Sequence, residues 1–208
     1  CALPILDKIK PVLEEGLSAR TIEFTPEEEK IVKSLFLLTT KPVLYVANVS
    51  EDEVADPDNN EYVQQVRNFA TSENAEVIVV SARAEEEIAE LDSEEDKAEF
   101  LEAMGIEQSG LDQLIRAAYD LLGLATYFTA GEQEVRAWTF RKGIKAPQAA
   151  GIIHSDFERG FIRAETVSYE DLDKYGNMQA AKEAGRVRLE GKDYVVQDGD
   201  VMLFRFNV

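Results

Sequence analysis

One cysteine (Cys1) and one histidine (His154) are all that this 208-residue chain holds of two chemically versatile residue types. A lone cysteine excludes an internal disulfide framework. A lone histidine argues against a His-based zinc site or a His-centred catalytic triad. No apolar run approaches the ~18 residues of a membrane span. The N-terminus carries prolines and Asp7 instead of a basic-then-apolar signal. A cytoplasmic protein with no membrane partner is therefore expected, and Cys1 reads as the edge of a fragment.

Basic charge is also scarce, and unevenly so. The formal net charge is −19. Residues 124–208 carry 12 basic and 13 acidic side chains, which leaves 10 and 28 in residues 1–123. The first region repels polyanions over most of its surface. The second can bind one locally through Arg136, Arg141, Lys142, Lys145, Arg159 and Arg163. A solvated surface of mixed charge explains the same composition. No DNA partner is expected.

What the chain does have is two apolar runs with polar stops. Lys41–Pro42–Val43–Leu44–Tyr45–Val46–Ala47 ends at Asn48, with Glu51 three residues on, and Val77–Val80 ends at Ser81–Ala82. A polar segment of helical spacing lies between them. This is one βαβ unit with parallel strands, and ligands of such sheets sit at the strands' carboxyl ends. The layout is that of a nucleotide base-reading edge. A phosphate loop, Gly-x-x-x-x-Gly-Lys-Ser/Thr, is absent. Gly185…Gly191–Lys192–Asp193 has one residue too many and an acid where a hydroxyl is needed. Asp120–Gly123 and Asp173–Gly176 match Asp-x-x-Gly but read as helix ends with a terminal glycine.

The elements follow from periodicity. A helix is predicted over 3–15, with Leu3, Leu6, Ile9 and Leu13 on one face and Gly16 as its stop. An extended stretch Thr21–Phe24 precedes a capping box at Thr25–Glu28 and a helix that turns Ile31, Leu35 and Leu38 inward; a coiled-coil stump fits that helix as well. Tyr62, Val66 and Phe69 mark one helix face, and acidic helices follow near 84–91, 93–103 and 109–122. The last of these turns Leu111, Leu114, Ile115, Ala118 and Leu121 inward. Beyond residue 124 a hairpin about Ala130–Gly131–Glu132, a helix over Ala146–Ile153 and a strand Phe161–Val167 are expected. A short helix Tyr169–Tyr175 and extended segments 187–189, 193–196 and 201–206 complete a separate α+β domain. His154 and Trp138 read as packing or surface residues, and Glu85–Glu87 as a solvated helix start without the ligand spacing of a calcium loop.

Tyr127–Phe128–Thr129–Ala130–Gly131, Glu134–Val135–Arg136–Ala137–Trp138–Thr139–Phe140–Arg141–Lys142–Gly143 and Ala146–Pro147–Gln148 resemble the C-terminal TGS domain of the YchF / Obg-like ATPase family. So do Asp156–Phe157–Glu158–Arg159–Gly160–Phe161 and Tyr194–Val195–Val196–Gln197–Asp198–Gly199–Asp200. The resemblance implies three parts. Residues 1–40 are the returning arm of a helical insertion, 41–123 the end of a P-loop-NTPase-like α/β G domain with an incomplete parallel sheet, and 124–208 a β-grasp, ubiquitin-like TGS domain. It also implies ATP or GTP with Mg²⁺ as cofactors of the intact protein, nucleoside triphosphate hydrolysis, and a ribosome or ribosomal RNA as partner. A truncated G domain without activity of its own is expected, and no catalytic or metal-binding residue is assigned.

Where GTPases of this class read guanine with Asn-Lys-x-Asp, this chain has Asn48–Val49–Ser50–Glu51. Asn48 keeps the amide, Val49 gives apolar contact alone, and the longer Glu51 displaces the carboxylate that pairs with guanine. The resemblance implies that ATP is preferred to GTP or accepted beside it, with Ser81 and Ala82 contributing backbone N–H groups. On local sequence alone, Asn48 equally well just ends a strand and Glu51 opens an acidic loop. A non-enzymatic RNA- or ribosome-binding module is the alternative, and an adaptor using the acidic helices a further one.

Overall fold

The computed structural model describes residues 3–131 and 134–207, with Leu3 described by its backbone alone. Cys1 and the expected turn residue Glu132 lie outside the described residues. The chain divides into two compact units, residues 1–121 and 122–208.

The first unit opens with α1 (Leu3–Glu14). Ile5 and Ile9, one turn apart, are its buried residues, while Leu6 and Leu13 are exposed. The buried stripe keeps Ile9 of the expected face and adds Ile5, while Leu6 and Leu13 fall outside it. Gly16, at φ +78°, closes the helix: its N–H donates to the Leu13 carbonyl and the Leu17 N–H to that of Val12. The stretch expected to be extended from Thr21 begins as a 3₁₀ turn, Ala19–Thr21, because the Ser18 carbonyl accepts from both the N–H and the hydroxyl of Thr21. α2 (Pro26–Ser34) starts on the capping box, with the Thr25 N–H donating to Glu28 at 2.9 Å. Val32 is its buried residue, and Ile31 and Leu35 pack on the same cluster with Ile5, Ile9 and Ala19. Leu38 is 77 % exposed, contrary to expectation. The helix stops at Ser34 and Phe36 enters the left-handed region (φ +51°), so helical spacing does not reach residue 38.

β1 (Leu44–Asn48), α3 (Glu61–Ser72) and β2 (Glu76–Val80) form the βαβ unit. The strands are parallel, and Asn48 stands opposite Val80. α3 buries Val63 and Ala70, whereas Tyr62 and Phe69 are exposed. Phe69 still meets the Tyr45 ring edge-on at 5.9 Å. α4 (Ala82–Ala89), α5 (Glu94–Met104) and α6 (Gly110–Leu121) follow. In α6 the buried side chain is Ala117, and Leu111 and Ile115 are exposed. Small residues let this helix close on β2: a Cβ at Gly110 would strike the Val80 side chain.

A charged knot ties residues 18–20 to this unit. Glu73, just past α3, accepts from Ser18 Oγ at 2.5 Å, Tyr45 Oη at 2.7 Å and Arg20 Nη1 at 2.8 Å. Arg20 Nε also donates to the Lys41 carbonyl. The Arg20 and Glu73 side chains are only 15 % and 10 % exposed, so each offsets the desolvation of the other.

In the second unit β3 (Leu124–Ala130) and β4 (Val135–Arg141) pair antiparallel. α7 (Ala146–Ile153), α8 (Ser155–Arg159), β5 (Phe161–Ser168), α9 (Tyr169–Tyr175), α10 (Met178–Glu183), β6 (Arg188–Glu190) and β7 (Asp200–Phe206) follow. The sheet order is β4-β3-β7-β5-β6, with β3 and β7 parallel at the centre and the other pairs antiparallel. Ala146, Ala149 and Ala150 of α7 lie on Tyr127, Phe140, Met202 and Phe204 of one sheet face. Without larger side chains the helix comes close enough for the Tyr127 hydroxyl to donate to the Ala149 carbonyl at 2.9 Å, and burial drives that hydroxyl's pKa upward. Val167 and Val201 pack with Leu172, Tyr175, Met178 and Ala181 in a second cluster.

Residues 193–196 do not form the expected strand. Their backbone pairs with the loop before α7, the Ala146 N–H donating to the Tyr194 carbonyl and the Val196 N–H to that of Ile144. α8 and α10 are additions to the sequence reading, capped by His154 and Asn177. Gly176 and Gly123, the two Asp-x-x-Gly ends, take left-handed φ of +76° and +63° directly beyond α9 and α6.

Hydrogen bonds from Ser18, then Tyr45, with the Arg20 charge beside them, hold the Glu73 carboxyl below its ordinary value of 4.5. A depressed carboxylate stabilises the folded state in full above that ordinary value and ceases to do so as pH falls through the lowered one. The first unit is expected to lose stability on acidification below about pH 4.5. Glu73→Gln should flatten that acid limb of the pH–Tm curve; an acid limb unchanged by the substitution removes Glu73 from the account.

Candidate functional site

The parallel register brings both strand ends to one edge. Asn48, exposed at the end of β1, accepts the Ala82 N–H on its Oδ1 at 2.9 Å. The carboxamide is thereby oriented, and its Nδ2 donors have no protein acceptor among the described residues. Val49 is buried and its N–H donates to the Val80 carbonyl at 2.9 Å, which extends the strand pairing by one residue. Ser81 is 1 % exposed, and its hydroxyl caps α4 by accepting from the Ala84 N–H. Asn48, Val49, Ser81 and Ala82 therefore form one platform. Ser81 serves it from below as a helix cap.

Glu51 begins a 3₁₀ turn, Glu51–Glu53, beside this platform. Its Oε1 is shut off from solvent without a hydrogen-bond donor, and Arg83 Nε lies 3.3 Å away as an ionic partner. Glu53 anchors the turn. It accepts from the Ser50 hydroxyl at 2.7 Å and from Asn60 Nδ2 at 2.8 Å, and the Ser50 bonds hold its carboxyl below the usual range. Glu85 is more than a solvated helix start. Its two oxygens accept the N–H groups of Gly110 (2.6 Å) and Leu111 (3.2 Å), so an acid of α4 caps α6. Neither Arg83 nor the capping role of Glu85 was legible from spacing, since both depend on a contact formed only after folding.

The six candidate cations do not assemble into one patch. Alternation along β4 places Arg136 with Trp138 and Phe140 and puts Arg141 on the opposite sheet face. The Arg136 guanidinium lies 4.2 Å from the Trp138 ring centroid and 3.7 Å from Glu134. Lys145 pairs with Asp193 at 2.7 Å, and Arg159 with Asp156. Arg163 stands opposite Arg205 across β5 and β7, at the far end of the sheet from Arg141. Lys142 follows β4 directly, and its N–H donates to the Gly123 carbonyl. Trp138 donates its indole N–H to Thr129, and His154 Nδ1 accepts the Asp156 N–H, which gives both residues structural work.

Grooves lie elsewhere on the first unit, two of which bear on the residues above. One, of about 390 Å³, is lined by Arg20, Phe24, Val32, Val43 and Glu73. The other, of about 360 Å³, is lined by Arg67, Val77, Gln113 and Arg116. Neither reaches Asn48 or Ala82. Among the described residues no group of acids, His or Cys could hold a metal ion, and no helix is long and apolar enough to cross a membrane.

Residues 124–207 match the family described as YchF-GTPase_C, "Protein of unknown function (DUF933)". The chain is 71 % identical over 204 residues to the "Ribosome-binding ATPase YchF" of Bacillus subtilis (strain 168), covering 98 % of this chain and 56 % of that protein. It is 55 % identical over 206 residues to the protein of the same name from Haemophilus influenzae, again covering 56 % of the relative. The chain thus spans about half the length of the curated relatives it matches. Among solved structures, the Schizosaccharomyces pombe YchF GTPase superposes with a TM-score of 0.84 at 36 % identity, over 97 % of this chain and 53 % of that one. A GTP binding protein from Pyrococcus horikoshii OT3, at 19 % identity and a TM-score of 0.56, shares the fold.

The clasp between the strand ends can be tested apart from any ligand. Asn48→Ala should speed hydrogen exchange of the Ala82 amide by about two- to thirteen-fold, the loss expected for one bond to a neutral partner. Asn48→Asp keeps an acceptor oxygen and should leave that amide protected. Equal protection in Asn48→Ala and the unaltered chain would mean that the bond does not hold the strand ends together.

Proposed function

We propose, for a chain that corresponds to the C-terminal part of YchF proteins, that the Asn48–Ala82 platform is the purine-reading rim of a nucleoside triphosphate site. The carrying observation is the exposed Asn48 carboxamide, fixed at 2.9 Å on Ala82 at the carboxyl ends of two parallel strands. A carboxamide held by its oxygen presents its N–H donors in one direction, which suits the acceptor atoms of a purine edge. Val49 offers no stacking charge, and Glu51 is displaced from the position in which an aspartate pairs with guanine. ATP is therefore accepted at least as well as GTP.

In the intact protein the bound triphosphate supplies the phosphoanhydride bond that is cleaved by phosphoryl transfer to water. This chain's part is to bind and orient the base. No catalytic step and no Mg²⁺ ligand is assigned to its residues. Residues 1–40 and 41–123 read as the returning arm and the end of a G domain. Residues 124–208 read as a TGS domain, with the 2-1-5-3-4 strand order of a β-grasp when its strands are numbered from β3. The names of the bacterial relatives support ribosome binding, and we assign the contact to this domain in a cytoplasmic protein. Arg141 ends β4 and Lys142 follows it, and we favour these two adjacent cations for the contact.

Two measurements test the two halves of this reading. Adenosine at millimolar concentration should shift the amide resonances of Val49 and Ala82, and Asn48→Ala should abolish the shifts; a response centred elsewhere removes the site. Ribosome binding by the chain should weaken with salt. Arg141→Glu with Lys142→Glu should make the log K–log salt slope shallower by about 1.4–1.8, the equivalent of two phosphate contacts. A slope that is flat, or indifferent to both charge reversals, argues against an electrostatic contact at this end of the sheet.

A further inference from the structure

We infer that Arg83 sets the purine preference of the strand-end site by occupying the carboxylate of Glu51. The inference rests on the base-reading role proposed above and names a residue which that role does not use. Arg83 is the second residue of α4, directly after Ala82. Its Nε lies 3.3 Å from Glu51 Oε1 and 3.8 Å from Glu87 Oε1. The same Glu51 oxygen is closed to solvent and has no hydrogen-bond donor. It is an acceptor held beside the platform and faced by one cation.

The two purines differ at the edge such an acceptor meets. Guanine offers N1–H and an amino group, both donors, and needs an open anionic acceptor. Adenine offers an acceptor at N1 and a donor only at N6. With Arg83 in place, the carboxylate is turned to a guanidinium, and that guanidinium has further N–H donors of its own. Donors facing guanine's donors are unfavourable, whereas adenine N1 can accept from them. Discrimination then comes from a repulsive element placed against one ligand as well as from contacts to the other. The extra methylene that separates Glu51 from an aspartate gives the side chain its reach toward Arg83.

The size of the effect is bounded by exposure. The Arg83 side chain is 76 % exposed, so the pair is screened and its removal should change the ratio of adenosine to guanosine affinity by about two- to five-fold. The same exposure means that Arg83→Ala removes no packing.

The experiment titrates adenosine and guanosine separately into the 208-residue chain and follows the amide resonances of Val49 and Ala82. Arg83→Ala should move the affinity ratio toward guanosine by the factor above. In a Glu51→Ala background the same substitution should have a smaller effect, because the carboxylate it liberates is gone and only the guanidinium's own donors are lost. If both nucleosides bind at the platform and the ratio does not change in Arg83→Ala, the role of Arg83 is overturned while the base site stands. An equal change in the Glu51→Ala background overturns the mechanism through Glu51. If neither nucleoside moves these resonances, the base-reading role and this inference fall together.

Discussion

The bond from the Ala82 N–H to the Asn48 carboxamide closes the end of the parallel pairing of β1 and β2, beyond the last residues of their ladder. A two-stranded sheet is marginal on its own, and β1 and β2 make only one ladder with each other. Their register survives because helices close on them from named positions. α6 approaches β2 where Gly110 leaves room for Val80, and Glu85 fixes the start of that helix by accepting its first N–H groups. Asn48 then converts register into a fixed carboxamide orientation. The oxygen that secures the strand ends also determines where the free N–H donors point.

Much of this edge was legible beforehand. Apolar runs stopping at Asn48 and at Ser81 gave the parallel pair, and the capping box at Thr25–Glu28 and the glycine stops at residues 16, 123 and 176 behaved as their chemistry requires. Helix faces were less legible. Tyr62, Phe69, Leu111 and Ile115 have the spacing of a buried stripe, yet Val63, Ala70 and Ala117 are the buried residues. Periodicity locates apolar side chains around a helix, but it does not say which stripe the neighbouring strand can approach. Close approach selected the small residues.

The second unit shows the same limit for charge. Six cations close in sequence suggest a basic surface, but strand alternation divides Arg136 from Arg141, and acids distant in sequence meet Lys145. Asp193 lies 48 residues from Lys145 and is brought to it by the short pairing of residues 194–196 with the loop before α7. The segment expected to be a strand thus closes the entry to the helix instead. Its far end is held by Asp200, which accepts from the Tyr194 hydroxyl and the Gln197 N–H. Counting charges along a chain overstates a polyanion site whenever the fold supplies partners of opposite sign.

Glu51 and Glu73 make the corresponding point for single carboxylates. Glu73 meets three donors, each engaged with it directly, and becomes a fixed part of the scaffold. Glu51 meets one cation, through an ion pair whose arginine is mostly in water. Saturated partners make a group structural, because displacing it strands several buried donors at once. A single exposed partner leaves the group available, since exchange of that partner for a ligand costs little. By this criterion Glu51, rather than the better-bonded acids around it, is the carboxylate that can change partners at low cost.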